Sequence, residues 1–165
     1  MSHKQLWAPW RMDYIAEHKV KNASECVFCT LPAQTDDRNN LIIHRAQKVF
    51  VIMNRYPYTN GHLMVVPNQH TNDYTTLPTD VSAELTEFTQ HSVKALKAAY
   101  KAEGFNIGMN IGQAGGAGIR DHLHMHVVPR WLGDTNFMPV LADTKSMPQH
   151  LLTAYDQIQD YFRRL

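Results

Sequence analysis

In His122-Leu123-His124-Met125-His126-Val127-Val128-Pro129-Arg130, three histidines stand at i, i+2 and i+4 with apolar residues between them. That is the period of a β-strand. It predicts three imidazoles on one face, and Leu123, Met125 and Val127 on the other. Same-face neighbours stand ~7 Å apart, so adjacent histidines serve one small pocket in different roles. A single histidine is usually a satisfied polar residue, but burying three unpaired would be costly. Just upstream, Asn110-Ile111-Gly112-Gln113-Ala114-Gly115-Gly116-Ala117-Gly118-Ile119-Arg120-Asp121 holds four glycines. Such a loop lets backbone N–H groups turn inward around an anion. An anion cradle running into a histidine strand points to chemistry on a phosphate. A catalytic zinc on the three histidines is the competing reading, and the residues alone leave it open.

At 165 residues the chain is expected to form one domain, residues 1–165, with a core of its own. Its 44% hydrophobic content is that of a globular protein, and a net charge of +1 gives no strong field toward nucleic acid or an anionic membrane. No apolar run approaches the ~18 residues of a membrane span, and Met1 to Trp7 lacks a signal-peptide core, so a cytoplasmic location is expected. The two cysteines, Cys26 and Cys29, form a Cys-x-x-Cys. In a reducing compartment this reads as half a zinc site that needs two more ligands.

From the N-terminus, residues 6–18 predict a short helix opening near Pro9, and residues 34–40 a polar loop. Leu41–Arg45 and Val49–Met53 predict an antiparallel hairpin. A loop with an Asn60-Gly61 turn leads to a third strand, His62–Pro67, with His70 just beyond. Residues 80–102 carry the helical period through Val81, Leu85, Phe88, Ser92, Leu96 and Ala99, with Thr79 or Asp80 as cap and Gly104 as stop. Residues 105–111 and 121–128 predict strands four and five. A last helix covers about 148–164, with Leu151, Leu152, Tyr155, Ile158 and Phe162 on one side. The expected class is α+β: a five-stranded antiparallel sheet, one long helix packed on it, and a C-terminal helix.

The stretch His122-Leu123-His124-Met125-His126-Val127-Val128 resembles the defining motif of the histidine triad (HIT) family. The Cys-x-x-Cys, the Asn-then-Gly-His strand, the glycine loop and the triad follow in family order. Leu6-Trp7-Ala8-Pro9-Trp10-Arg11-Met12 and Asp134-Thr135-Asn136-Phe137-Met138-Pro139 resemble its bacterial branch near diadenosine tetraphosphate phosphorylases and hydrolases. The resemblance implies a HIT-like fold over the chain, with residues 1–25 and the C-terminal helix as extensions. It implies transfer of a nucleotidyl group from a nucleoside phosphate or dinucleoside polyphosphate. His124 would attack the α-phosphate, and water or phosphate would resolve the nucleotidyl-histidine. His126 would contact the phosphate and leaving group, and His62 matches a fourth active-site histidine. Asn54 matches the position that holds the ribose hydroxyls, and Asn110 a polar residue near the phosphates.

Gly112, Gln113, Gly116 and Gly118 are expected around the phosphates, with Gly118 where many members carry Ser or Gln. Val51 and Met53 would offer the base an apolar surface. The resemblance also implies a structural zinc on Cys26, Cys29, His70 and His122, and a homodimer. A zinc metallohydrolase using the triad as ligands, and a nucleotide-binding sensor with weak catalysis, are the alternative functions.

Overall fold

A computed structural model describes residues 26–134 and 147–165. The expected helix within 6–18 and the stretch 135–139 lie outside the described residues. Five strands form one antiparallel sheet: β1 (Ile42–Arg45), β2 (Val49–Met53), β3 (Leu63–Pro67), β4 (Gly104–Gly108) and β5 (Met125–Arg130), in the order β1-β2-β3-β5-β4. Two single-turn helices precede it, α1 (Val27–Thr30) and α2 (Asp37–Asn40). The long α3 (Thr79–Tyr100) and the C-terminal α4 (Leu151–Phe162) pack against it and each other. The expected α+β architecture holds. Among the described residues no helix is long and apolar enough to cross a membrane.

The core follows the sequence period. Val81, Leu85, Ala95 and Leu96 of α3 and Ala154, Tyr155, Ile158 and Phe162 of α4 are buried with every residue of β2. The Tyr155 hydroxyl donates to the Ile42 carbonyl at 2.9 Å, so the one polar atom α4 brings inside is satisfied.

Element edges differ from expectation for local reasons. Within 34–40 a helical turn forms, because the Asp36 carboxylate accepts from the Asn39 backbone N–H at 3.2 Å and from its side chain at 2.7 Å. Helix α3 stops at Lys101, which takes the left-handed conformation (φ 51°), so Gly104 opens β4 rather than ending the helix. Its N-cap is Pro78, with no side-chain cap. Strand four ends at Gly108, before the glycine loop.

The fifth strand is shifted along the chain. Only His126 of the triad lies within it. His122 and His124 precede it, because the Leu123 N–H donates to the Thr71 carbonyl (2.8 Å) in the segment after β3 instead of to a ladder partner. Pro129 is tolerated in β5 because β3 pairs only as far as Val127.

Candidate active site and metal centre

The register of β3 and β5 builds the site. Met64 pairs with His126 and Leu63 with Val127, so His62, one residue before β3, comes beside His126. His62 Nε2 and His126 Nδ1 are 2.9 Å apart. On its other side, His62 Nδ1 accepts from the Tyr58 backbone N–H (3.2 Å) and faces the Asn54 amide at 3.3 Å. A nitrogen that accepts carries no proton, so the His62 proton sits on Nε2 and is donated to His126 Nδ1. His126 then carries its own proton on Nε2. His126 is thereby fixed as an N–H donor.

His124 takes the opposite arrangement. Its Nδ1–H donates to the His122 carbonyl at 2.8 Å, which leaves Nε2 with a lone pair. Its ring lies 4.8 Å from His126 and 5.1 Å from Phe28. The site thus holds one imidazole with its Nε2 unprotonated beside one that carries its proton on Nε2. All four histidines, His62, His122, His124 and His126, are buried.

His122 turns to a different task. With Cys26, Cys29 and His70 it forms a quartet whose ligand atoms all lie within 4.8 Å of one another. Cys26 Sγ is 3.4 Å and Cys29 Sγ 3.6 Å from His122 Nδ1, and Cys29 Sγ is 3.3 Å from His70 Nδ1. Bonds of about 2.3 Å to sulfur and 2.0 Å to nitrogen put S and N roughly 3.5 Å apart across a tetrahedral angle. The quartet therefore fits a tetrahedral cation. His122 Nε2–H donates to the Pro67 carbonyl (2.8 Å), which leaves Nδ1 as the ligating lone pair. Burial holds the His122 pKa down at about 4 and pushes the Cys26 thiol up to about 11. A bound cation offsets the second effect by stabilising the thiolate.

The other expected residues divide. Asn54 Oδ1 accepts from the Tyr56 N–H at 2.9 Å, so this side chain braces the loop while touching His62. Gly112 to Gly116 are exposed, while Gly118 and Asn110 are half-buried. Gly112 and Gly116 have positive φ (70° and 78°). Two loop N–H groups close the turn itself: Gly116 on the Gln113 carbonyl at 3.1 Å and Ala117 on the Gly112 carbonyl at 3.3 Å. Val51 and Met53 are 0% and 1% exposed and belong to the core, so their side chains offer no open surface.

Sequence reasoning missed two rings. Phe28, between the cysteines, packs on His122 (5.6 Å) as well as His124. Tyr58 lies over His62 (4.6 Å) and His126 (5.8 Å). The position of Phe28 inside the Cys-x-x-Cys was the available signal for the first. A groove of about 680 Å³ between α3 and α4, lined by Ala95, Ala99, Asp160, Tyr161 and Arg164, contains none of these histidines.

The antiparallel sheet and the clustered imidazoles of the His-x-His-x-His stretch are those of the histidine triad class. The HIT domain model matches residues 36–131, and the chain belongs to the HIT family. It is 40% identical over 153 residues to the AP-4-A phosphorylase of Mycobacterium tuberculosis, covering 90% of this chain and 78% of that one. With that relative, it is an enzyme of the family. A Zn-bound histidine triad family protein from Mycobacterium smegmatis superposes with a TM-score of 0.69 at 25% identity, covering 87% of this chain and 96% of that one. Diadenosine triphosphate hydrolase from Plasmodium falciparum, at 15% identity and a TM-score of 0.63, shares the fold, over 79% of this chain and 80% of that one.

Proposed function

We propose that this enzyme cleaves dinucleoside polyphosphates, or related nucleoside phosphates, at the α-phosphate through a nucleotidyl-histidine intermediate. The observation that carries the reading is the His124 Nδ1–H bond to the His122 carbonyl, because it leaves Nε2 as the nucleophile. Nε2 forms a P–N bond as the P–O bond to the leaving group breaks. The leaving oxygen takes the Nε2 proton of His126. Water or inorganic phosphate then attacks the same phosphorus, the P–N bond breaks, and its proton returns to His126. The mycobacterial AP-4-A phosphorylase supports both the substrate class and phosphate as acceptor. In this reading Asn54, Asn110, Gly112, Gln113, Gly116 and Gly118 hold the nucleotide, while Val51 and Met53, buried in the core, take no part.

The quartet is assigned to a structural zinc, supported by its S···N spacings and by the Zn-bound relative. Zinc there would fix the chain segment that carries His124, and no step passes through it. A catalytic zinc on His122, His124 and His126 draws no support from their hydrogen bonds, because the three Nδ1 atoms face a cysteine pair, a carbonyl and His62. A homodimer is also part of the proposal, supported by the edge position of β4 and the 49% exposure of Ile107 on it.

The test is to quench turnover in base and locate the adduct by mass spectrometry. We expect one nucleotidyl group on His124. In His124→Asn the adduct and turnover should both vanish while nucleotide binding persists. Wild-type turnover with no adduct, or near-normal turnover by the mutant, would reject the covalent route. Binding without turnover in the wild type would favour the sensor.

A further inference from the structure

We propose that Tyr58 is a positioning residue that holds the His62–His126 pair in its working tautomer and orientation. This rests on the reading above, in which His126 donates to the leaving oxygen. The Tyr58 ring lies 4.6 Å from His62 at 34° and 5.8 Å from His126 at 30°. The two imidazoles are themselves 5.1 Å apart at 43°. One phenol ring therefore covers both. The same residue's backbone N–H donates to His62 Nδ1 at 3.2 Å. Its backbone decides which His62 nitrogen carries the proton, and its side chain limits how far either imidazole turns.

That limit matters because an imidazole's outer torsion is soft and roughly two-fold. A half-turn of His62 would remove the acceptor from the Tyr58 N–H and the donor from His126. A half-turn of His126 would swing its N–H away from the phosphate side.

Tyr58 can serve as a brace only if it is fixed, and the next three residues fix it. Thr59 Oγ1 donates to the Pro129 carbonyl of β5 at 3.0 Å, within the core. The Asn60 amide donates to Gln149 at 3.2 Å, just ahead of α4. Gly61 has φ 79°, and a Cβ on it would meet Leu96 and Tyr100 of α3 at 2.9 Å. Each tie reaches a different element, so the loop bearing Tyr58 is held from three sides.

The experiment compares Tyr58→Leu, Tyr58→Phe and wild type, each metal-loaded and folded by circular dichroism. The readouts are 15N chemical shifts of labelled histidine rings, kcat on a dinucleoside tetraphosphate, and Kd for a non-hydrolysable analogue. In Tyr58→Leu we expect the His62 and His126 ring nitrogens to move toward averaged tautomer values. Its kcat should fall about ten- to a hundredfold, the scale of a small misplacement of a reacting group. Its Kd should stay within about twofold of wild type, and Tyr58→Phe should restore shifts and rate.

Unchanged ring shifts in Tyr58→Leu would overturn the proposal. So would a loss confined to Kd, which makes Tyr58 a binding contact, or an equal loss in Tyr58→Phe, which makes the hydroxyl the working group. The ring shifts do not depend on turnover, so failure of the covalent reading would leave them standing, and their failure would leave the His124 adduct untouched.

Discussion

Cys26 Sγ lies 3.4 Å from Nδ1 of His122, and the His122 carbonyl in turn accepts the Nδ1–H of His124 at 2.8 Å. The metal-type quartet and the proposed nucleophile are therefore joined through one residue. Helix α1 is a single turn, too short to persist without outside support, and it carries both Cys29 and Phe28.

The double mutant Cys26→Ser/Cys29→Ser should lose zinc and fold stability together, because ligation energy is folding energy at such a site. Zinc content, melting temperature and initial rate are measured on one preparation. The melting temperature should fall by several degrees, while the rate per folded molecule falls only moderately, since in the proposed mechanism no step passes through the metal. Full zinc occupancy in the mutant would defeat the structural assignment.

Asn54→Ala separates two roles. If Asn54 holds the ribose, binding should weaken for ribonucleotides and not for analogues without ribose hydroxyls, by the ~1–3 kcal/mol of a buried hydrogen bond left unmade. Equal losses for both ligands would instead assign Asn54 to its contacts with Tyr56 and His62.

Gly115 gives a sharper steric test. A Cβ there would meet the Ile111 carbonyl oxygen at 2.3 Å, which is backbone and cannot step aside. Gly115→Ala should open the exposed loop with under about 1 kcal/mol of lost stability, as for most surface changes. Affinity for a nucleoside phosphate should drop at least tenfold. Gly108→Ala, with no atom within 4 Å of its Cβ, is the control. Equal affinities for the two variants would remove the glycine loop from the phosphate site.

Much of this site was legible in the sequence because its pieces are local. The i, i+2, i+4 histidines marked the cluster of buried imidazoles, and the Cys-x-x-Cys marked half the quartet. What stayed hidden is set by pairing between distant segments. The start of β5 at Met125 depends on Leu123 bonding Thr71, and no period in 121–128 reports that. The direction of each imidazole depends on partners such as Pro67, Tyr58 and His62, which spacing does not encode. The burial of Val51 and Met53 was missed because a fully buried strand carries no alternation to mark which face is open.

Among the described residues β4 ends the sheet, and Ile107 on it is 49% exposed. An apolar residue on an open edge is a ready contact for a second copy. Ile107→Glu should convert a dimer to a monomer by light scattering and leave the melting temperature of the monomer nearly unchanged. A wild-type monomer at micromolar concentration would end the dimer proposal.

The last prediction concerns acid stability and His44. Its ring stacks on Phe88 of α3 at 5.1 Å and leans on Phe162 of α4 at 5.5 Å. Burial, and then the nearby His91, hold its pKa below the usual histidine value of 6.5. His91 in turn faces Glu87 of its own helix at 4.0 Å and the Tyr161 hydroxyl at 3.4 Å. A histidine whose folded pKa is depressed takes its proton more readily when unfolded. The folded state is therefore unpenalised above pH 6.5 and loses stability as pH falls below it, toward the lowered folded value. His44→Gln removes this titration while keeping a polar planar end. It should start less stable at pH 7.5, where the stacked ring is lost, and its melting temperature should fall less steeply between pH 6.5 and 5. Acid release of any metal held by His70 and His122 would affect both proteins alike, so the difference between the two profiles isolates His44. Parallel profiles would mean that His44 does not couple the docking of α4 to pH.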